Sequence, residues 1–140
     1  MSIKFEGLDE VLESVDSLAD VEKLKAAMGR ACALVERAAK QKAPKVSGEL
    51  RRSITSKVED SGGEIVGVVY TPLEYAPYVE YGTGLFAENG GRKDVPWTYQ
   101  DEEGNWIVTS GIHPMPYMRP ALNENRENIK RILAEGLNND

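Results

Sequence analysis

Apolar positions near the start of the chain step by three and four: Leu8, Val11, Leu12, Val15 and Leu18 predict a short amphipathic helix over 8–19. A break is expected at Ser17 to Asp20, with Asp20 capping the next helix by accepting a backbone N–H. The strongest periodicity follows. Val21, Leu24, Met28, Ala31, Val35 and Ala38 form one stripe, widened by Ala27, Leu34 and Ala39. They predict a long helix from about Val21 to Ala43, stopped by Pro44, because the residue before a proline disfavours helical dihedrals. Residues 49–52 predict a single turn. Residues 53–60 and 64–71 predict a hairpin around Asp60-Ser61-Gly62-Gly63. Its second strand is apolar on both faces and so belongs in the centre of a sheet.

After Pro72 the pattern shortens. Tyr75 to Tyr81 predicts a short helix closed by Gly82. Residues 84–95 are polar, carry Asn89-Gly90-Gly91, and predict a mobile loop. A second hairpin is predicted from Trp97–Gln100 and Asn105–Thr109 around Asp101-Glu102-Glu103-Gly104. Pro120 is placed to start a final helix reaching about Leu137, with Leu122, Ile129, Ile132, Leu133 and Leu137 inward. The sum is one α+β domain over 1–140. It has a helical region at 8–43, two hairpins over 53–109 and a C-terminal helix at 120–137. A small, mostly antiparallel sheet would carry the long helix on one face.

Composition narrows the class. No apolar run reaches the length of a bilayer span. The first residues lack the apolar core of a secretory signal, so synthesis in the cytoplasm is expected. Cys32 is the single cysteine and lies in the long helical stripe, which predicts a buried, unreactive side chain. Charge comes in blocks. Residues 1–20 carry one basic and six acidic side chains, residues 21–60 ten basic and five acidic, and residues 61–119 three basic and eight acidic. Opposite blocks suit a subunit that meets its own kind through complementary faces.

The sequence carries no recognisable catalytic, metal or cofactor-binding set. His113 is the only histidine, and it lacks the partner ligands of a zinc site. No G-x-S-x-G elbow is present. Gly82-Thr83-Gly84 has no lysine and too few glycines for a phosphate loop. Asp101, Glu102 and Glu103 sit in a hairpin turn. A carboxylate-dependent hydrolase would require Asp101 or Glu102 to face Glu74 or Glu80. Lys40, Lys42, Lys45, Arg51 and Arg52, within a basic segment at 37–52, are candidate contacts to DNA phosphates or to an acidic partner. No aromatic residue interleaves them, which argues against a single-strand binder. What remains is a pool of large side chains near loops: Tyr75, Tyr78, Tyr81, Trp97, Trp106, Met115, Tyr117 and Met118. With Glu80 and Arg119 these are the candidates for a protein interface, since aromatics, Met and Arg concentrate at interface cores.

Three segments carry a family resemblance. They are Ala43-Pro44 with Ser47-Gly48-Glu49-Leu50-Arg51-Arg52-Ser53-Ile54, then Tyr75-Ala76-Pro77-Tyr78-Val79-Glu80-Tyr81-Gly82-Thr83, then Pro116-Tyr117-Met118-Arg119-Pro120-Ala121-Leu122. In this order the chain resembles the gene-product-ten-like family of long-tailed phages. Ser47 stands where that family usually has Thr, and Tyr81 and Tyr117 stand where it usually has Phe. The resemblance implies a structural virion protein of a phage or prophage, made in the bacterial host and acting at the head–tail junction as a neck or tail-completion subunit. It implies a homo-oligomeric ring, six-fold or twelve-fold, with portal, neck or tail proteins as partners. Genome DNA would pass through the lumen without specific binding. No cofactor and no membrane are implied. The alternatives left open by the residues are a DNA-contacting module built on 37–52 and the carboxylate hydrolase.

Overall fold

The computed structural model describes residues 1–7, 15, 17–45, 48–61 and 64–138. The helix predicted over 8–19, Ser47 and the Gly62-Gly63 hairpin tip lie outside the described residues, save Val15 and the residues from Ser17 on. The chain divides into two compact units, one made of Met1–Pro72 with Tyr117–Asp140 and the other of Leu73–Pro116.

The first unit is α+β, with a long helix on a three-stranded antiparallel sheet. Strands β1 (Ser2–Glu6), β2 (Thr55–Ser61) and β3 (Glu64–Tyr70) are ordered β1-β3-β2. The central place of β3 matches its two apolar faces. β1 pairs Phe5 with Gly67 and Ile3 with Val69, while β2 pairs Val58 with Gly67 and Ser56 with Val69. Helix α1 (Leu18–Lys42) packs on β2 and β3. It buries Leu24, Ala27, Met28, Ala31, Cys32, Val35 and Ala39. Each large apolar side chain withdrawn from water in this way contributes about 2 kcal/mol. The helix begins earlier than its stripe suggests. Ser17, not Asp20, is the cap: its hydroxyl accepts the Asp20 N–H at 3.1 Å, and Asp20 sits in the first turn. It ends at Lys42, and Ala43, preceding Pro44, is extended.

Helix α2 (Glu49–Ser53) is tied at both ends. Arg51 Nη2 donates to the Ala43 carbonyl at 3.2 Å, and the Ser53 hydroxyl lies 2.7 Å from that of Thr71. The predicted C-terminal helix is two helices, α4 (Met118–Asn123) and α5 (Arg126–Asn138), so Pro120 lies inside the first turn of α4 and does not open it. The break comprises Glu124 and Asn125. Asn125 turns its amide back to the Ala121 carbonyl at 2.8 Å, a local bond that competes with helix continuation. Both helices pack on α1. Gly136 of α5 permits the approach, since a Cβ there would sit 2.5 Å from that of Ala27.

The second unit holds helix α3 (Ala76–Tyr81), a 3-10 turn (Gly84–Phe86) and the hairpin of β4 (Trp97–Gln100) with β5 (Trp106–Thr109). The segment after α3 runs beside the one before Pro114. Thr83 N donates to Ile112 O and Leu85 N to Ser110 O, each at 2.9 Å. Gly111 carries φ +122° at this seam, and any Cβ on it would collide with the Thr83 carbonyl. The first part of the loop predicted at 84–95 is thus ordered turn, held further by Glu88 N on Tyr81 O at 2.9 Å.

Candidate functional site

The sequence candidates separate into buried and exposed sets. Tyr117 and Met118 are fully buried in the first unit, where the Tyr117 hydroxyl reaches the sulfur of Met1 at 3.6 Å. They fill core, which corrects their assignment to a surface; the Pro-rich segment around them reads the same either way in sequence. Glu80 is also fully buried, and it is engaged there. Arg119 is half-buried and likewise engaged.

The exposed set gathers elsewhere. Of the ten large apolar side chains exposed among the described residues, nine belong to the second unit: Tyr75, Tyr78, Tyr81, Leu85, Tyr99, Trp106, Val108, Ile112 and Met115. Tyr75, Tyr78 and Tyr81 recur every three residues through α3 and so form one strip. Tyr78 is its most open member at 60%. Ala76 and Glu80, four apart, take the buried side.

In the hairpin, β5 shows the same division by period two. Register places Trp97 opposite Thr109 and Tyr99 opposite Ile107 on one face, and Gln100 opposite Trp106 and Thr98 opposite Val108 on the other. Trp97 is half-buried. Its ring lies so close to Gly84 that a Cβ there would come within 2.7 Å, and the Arg92 guanidinium covers it at 4.6 Å. The opposite face is open, with Trp106 exposed at 72% and Val108 at 65%. Val108 was missed in the sequence, although it lies two residues from Trp106 and must share its face. Leu85, Tyr99 and Ile112 were missed as well, for they sit in segments that look like ordinary loop or strand.

The acidic tip of the hairpin is a turn. Asp101 Oδ1 accepts the backbone N–H groups of Glu103 at 3.0 Å and Asn105 at 2.8 Å, while Glu102 and Glu103 point outward as exposed residues. Among the described residues no group of three or more His, Cys, Asp or Glu is placed to hold a metal ion. His113 stacks on Phe86, ring centroids 3.8 Å apart. A recess of about 330 Å³ beside the sheet is lined by Lys4, Lys57, Glu59, Val68 and Tyr70. Its single carboxylate, Glu59, bonds Lys57 at 3.0 Å, and that partner holds its pKa below the usual carboxylate value.

The basic segment is divided too. Lys40 pairs with Glu36 at 3.4 Å and Lys42 with Glu124. Arg51 is turned inward to Ala43, with its Nε buried and unpartnered among the described residues. Lys45 and Arg52 remain exposed.

Cys32 is buried as expected, its Sγ 3.5 Å from the Lys57 carbonyl. Burial pushes the thiol up to about 11 from an ordinary 9.0; the Glu36 charge adds to this, and a hydrogen bond from the Val68 backbone opposes it. The native chain is therefore expected to leave a disulfide reagent unreacted at pH 8 and to yield one thiol once denatured. Because the folded pKa is the higher one, this group stabilises the fold fully below about pH 9, and the contribution is lost as pH rises towards 11. Rapid labelling under native conditions would contradict the packing of α1 on the sheet.

A family model described as "Bacteriophage HK97-gp10, putative tail-component" matches residues 8–82. That stretch contains α1, α2, β2, β3 and the tyrosine strip of α3, and so includes the first motif segment and all of the second but Thr83. No curated protein and no solved structure gives a significant match.

Proposed function

The chain belongs to the HK97-gp10-like family of bacteriophage tail components, and from that premise we propose that it is a ring-forming subunit at the head–tail junction, in the neck or completing the tail. The observation that supports this reading is the gathering of exposed apolar side chains in residues 73–116. Large apolar side chains left exposed in one segment of a small protein favour contact with another protein. A two-stranded hairpin is at best marginal alone in water, so one that presents Trp106 and Val108 to solvent gains from a neighbour. When such a contact joins unlike faces of identical subunits, rotation closes it into a ring. Portal and tail proteins are the further partners, and the protein is part of the virion. Genome DNA passes through the ring without specific contact.

Light scattering across a concentration range, followed by negative-stain imaging, tests this first on the chain alone and then with the head and tail proteins of the same phage. The expected species is a closed ring with a central hole, formed alone or on the partner. A chain that stays monomeric under both conditions sinks the proposal. Retention on DNA that weakens steeply with salt would favour the 37–52 segment as a phosphate-contacting surface instead.

A further inference from the structure

Resting on the ring assembly proposed above, we infer that the β4–β5 hairpin of one copy docks on the exposed cations at the α1–α2 corner of a second copy. Three observations converge. The second unit is acidic, with seven acidic and two basic side chains over 73–116. At the hairpin tip Glu102 and Glu103 are exposed and make no ion pair among the described residues, because Asp101 alone shapes the turn. Trp106 stands three residues beyond Glu103 on the open face, and Gln100 opposite it is occupied with the Gly104 carbonyl at 2.9 Å.

The first unit supplies the complement. Lys25, Lys40, Lys42 and Lys57 are each paired with a carboxylate of their own chain. Arg37, Lys45 and Arg52 are exposed and have no carboxylate partner among the described residues. They belong to the last turns of α1, the following loop and α2, and the Arg51 bond to Ala43 fixes α2 against the end of α1. The matching chemistry is two carboxylates for two cations, with an indole face left for a guanidinium. This chain already makes that last contact once, Arg92 over Trp97 at 4.6 Å. Hairpin and corner are different surfaces of the subunit, so the contact is heterologous and repeats around a ring.

Sedimentation of full-length chains tests the pairing with two charge reversals, Glu102→Arg with Glu103→Arg, and Lys45→Glu with Arg52→Glu. Each variant alone sets like charge against like and is expected to weaken self-association at least about tenfold. Mixed in equal amounts, the two are expected to associate to within about threefold of the unaltered chain. In the mixture a basic hairpin meets an acidic corner, and the alternate contact is of the original sign. Thermal melting of each variant confirms that the fold persists. Loss without recovery in the mixture overturns the pairing. Rings that form regardless of either reversal overturn the pairing and leave the ring proposal standing, whereas a chain monomeric alone and with its head and tail partners overturns both. A corner variant that loses DNA retention but not self-association assigns those cations to phosphate and also overturns the pairing.

Discussion

Gly67→Val is expected to destabilise the first unit by about 3 kcal/mol, the upper range for forcing extra atoms into a packed core. For a chain of this size that lowers the melting midpoint by roughly 10 °C. The cause is the thinness of the seam between α1 and the sheet. Gly67 lies at the middle of β3, buried between β1 and β2 and facing α1. A Cβ there would stand 2.8 Å from Cys32 Sγ, 2.8 Å from Phe5 Cζ and 3.0 Å from Met28 Sδ. Two of these atoms belong to the helix and one to the neighbouring strand, so no single side chain can step aside. Gly67→Ala should do less harm, and Phe5→Leu in that background should recover part of the loss through the shared space, a coupling that a double-mutant cycle reads directly. Denaturant titration measures all of these. A Gly67→Val chain that melts like the unaltered one would mean that the helix sits farther from the sheet.

That seam also shows how far the sequence could be read. The stripe of α1 was legible because seven positions at helical spacing bury on one side. Both hairpins and the central place of β3 followed from alternation and turn residues. Strand β1 was not recognised, although Ser2-Ile3-Lys4-Phe5-Glu6 alternates polar and apolar. A five-residue alternation carries little weight until its partner is known, and the partner is β3, with Phe5 paired to Gly67 far along the chain. Ser17 and Asp20 compete for the same cap, and both chemistries fit; only geometry chose the hydroxyl. The split of the C-terminal helix was hidden by a continuous apolar pattern, and Asn125 decided it. The aromatic pool mixes buried and exposed side chains, because burial of Tyr117 depends on tertiary neighbours that its flanking prolines do not reveal.

Trp106→Thr combined with Val108→Thr is expected to leave the fold intact and to weaken assembly by about 2 kcal/mol or more, roughly thirtyfold in dissociation constant. Both side chains stand on the open hairpin face, so their truncation removes nothing from a core, and stability should change by no more than about 0.5 kcal/mol. Threonine keeps the strand preference of a β-branched residue, which protects the hairpin itself. The chain has two tryptophans, so this variant retains Trp97 alone. Trp97 lies on the other face beneath Arg92 and against Gly84, and its fluorescence therefore reports whether the hairpin is still folded. Unchanged emission with lost assembly would assign Trp106 and Val108 to the contact. Lost assembly together with altered emission would make them props of the hairpin. Assembly at full strength would move the contact to the tyrosine strip of α3, where Tyr78 is the next most open aromatic. The order of these outcomes follows from one physical asymmetry. The first unit hides its large apolar side chains behind α1 and the C-terminal helices, whereas the second is too small to hide its own. In the proposed assembly, contact with another subunit would give those side chains a way out of water.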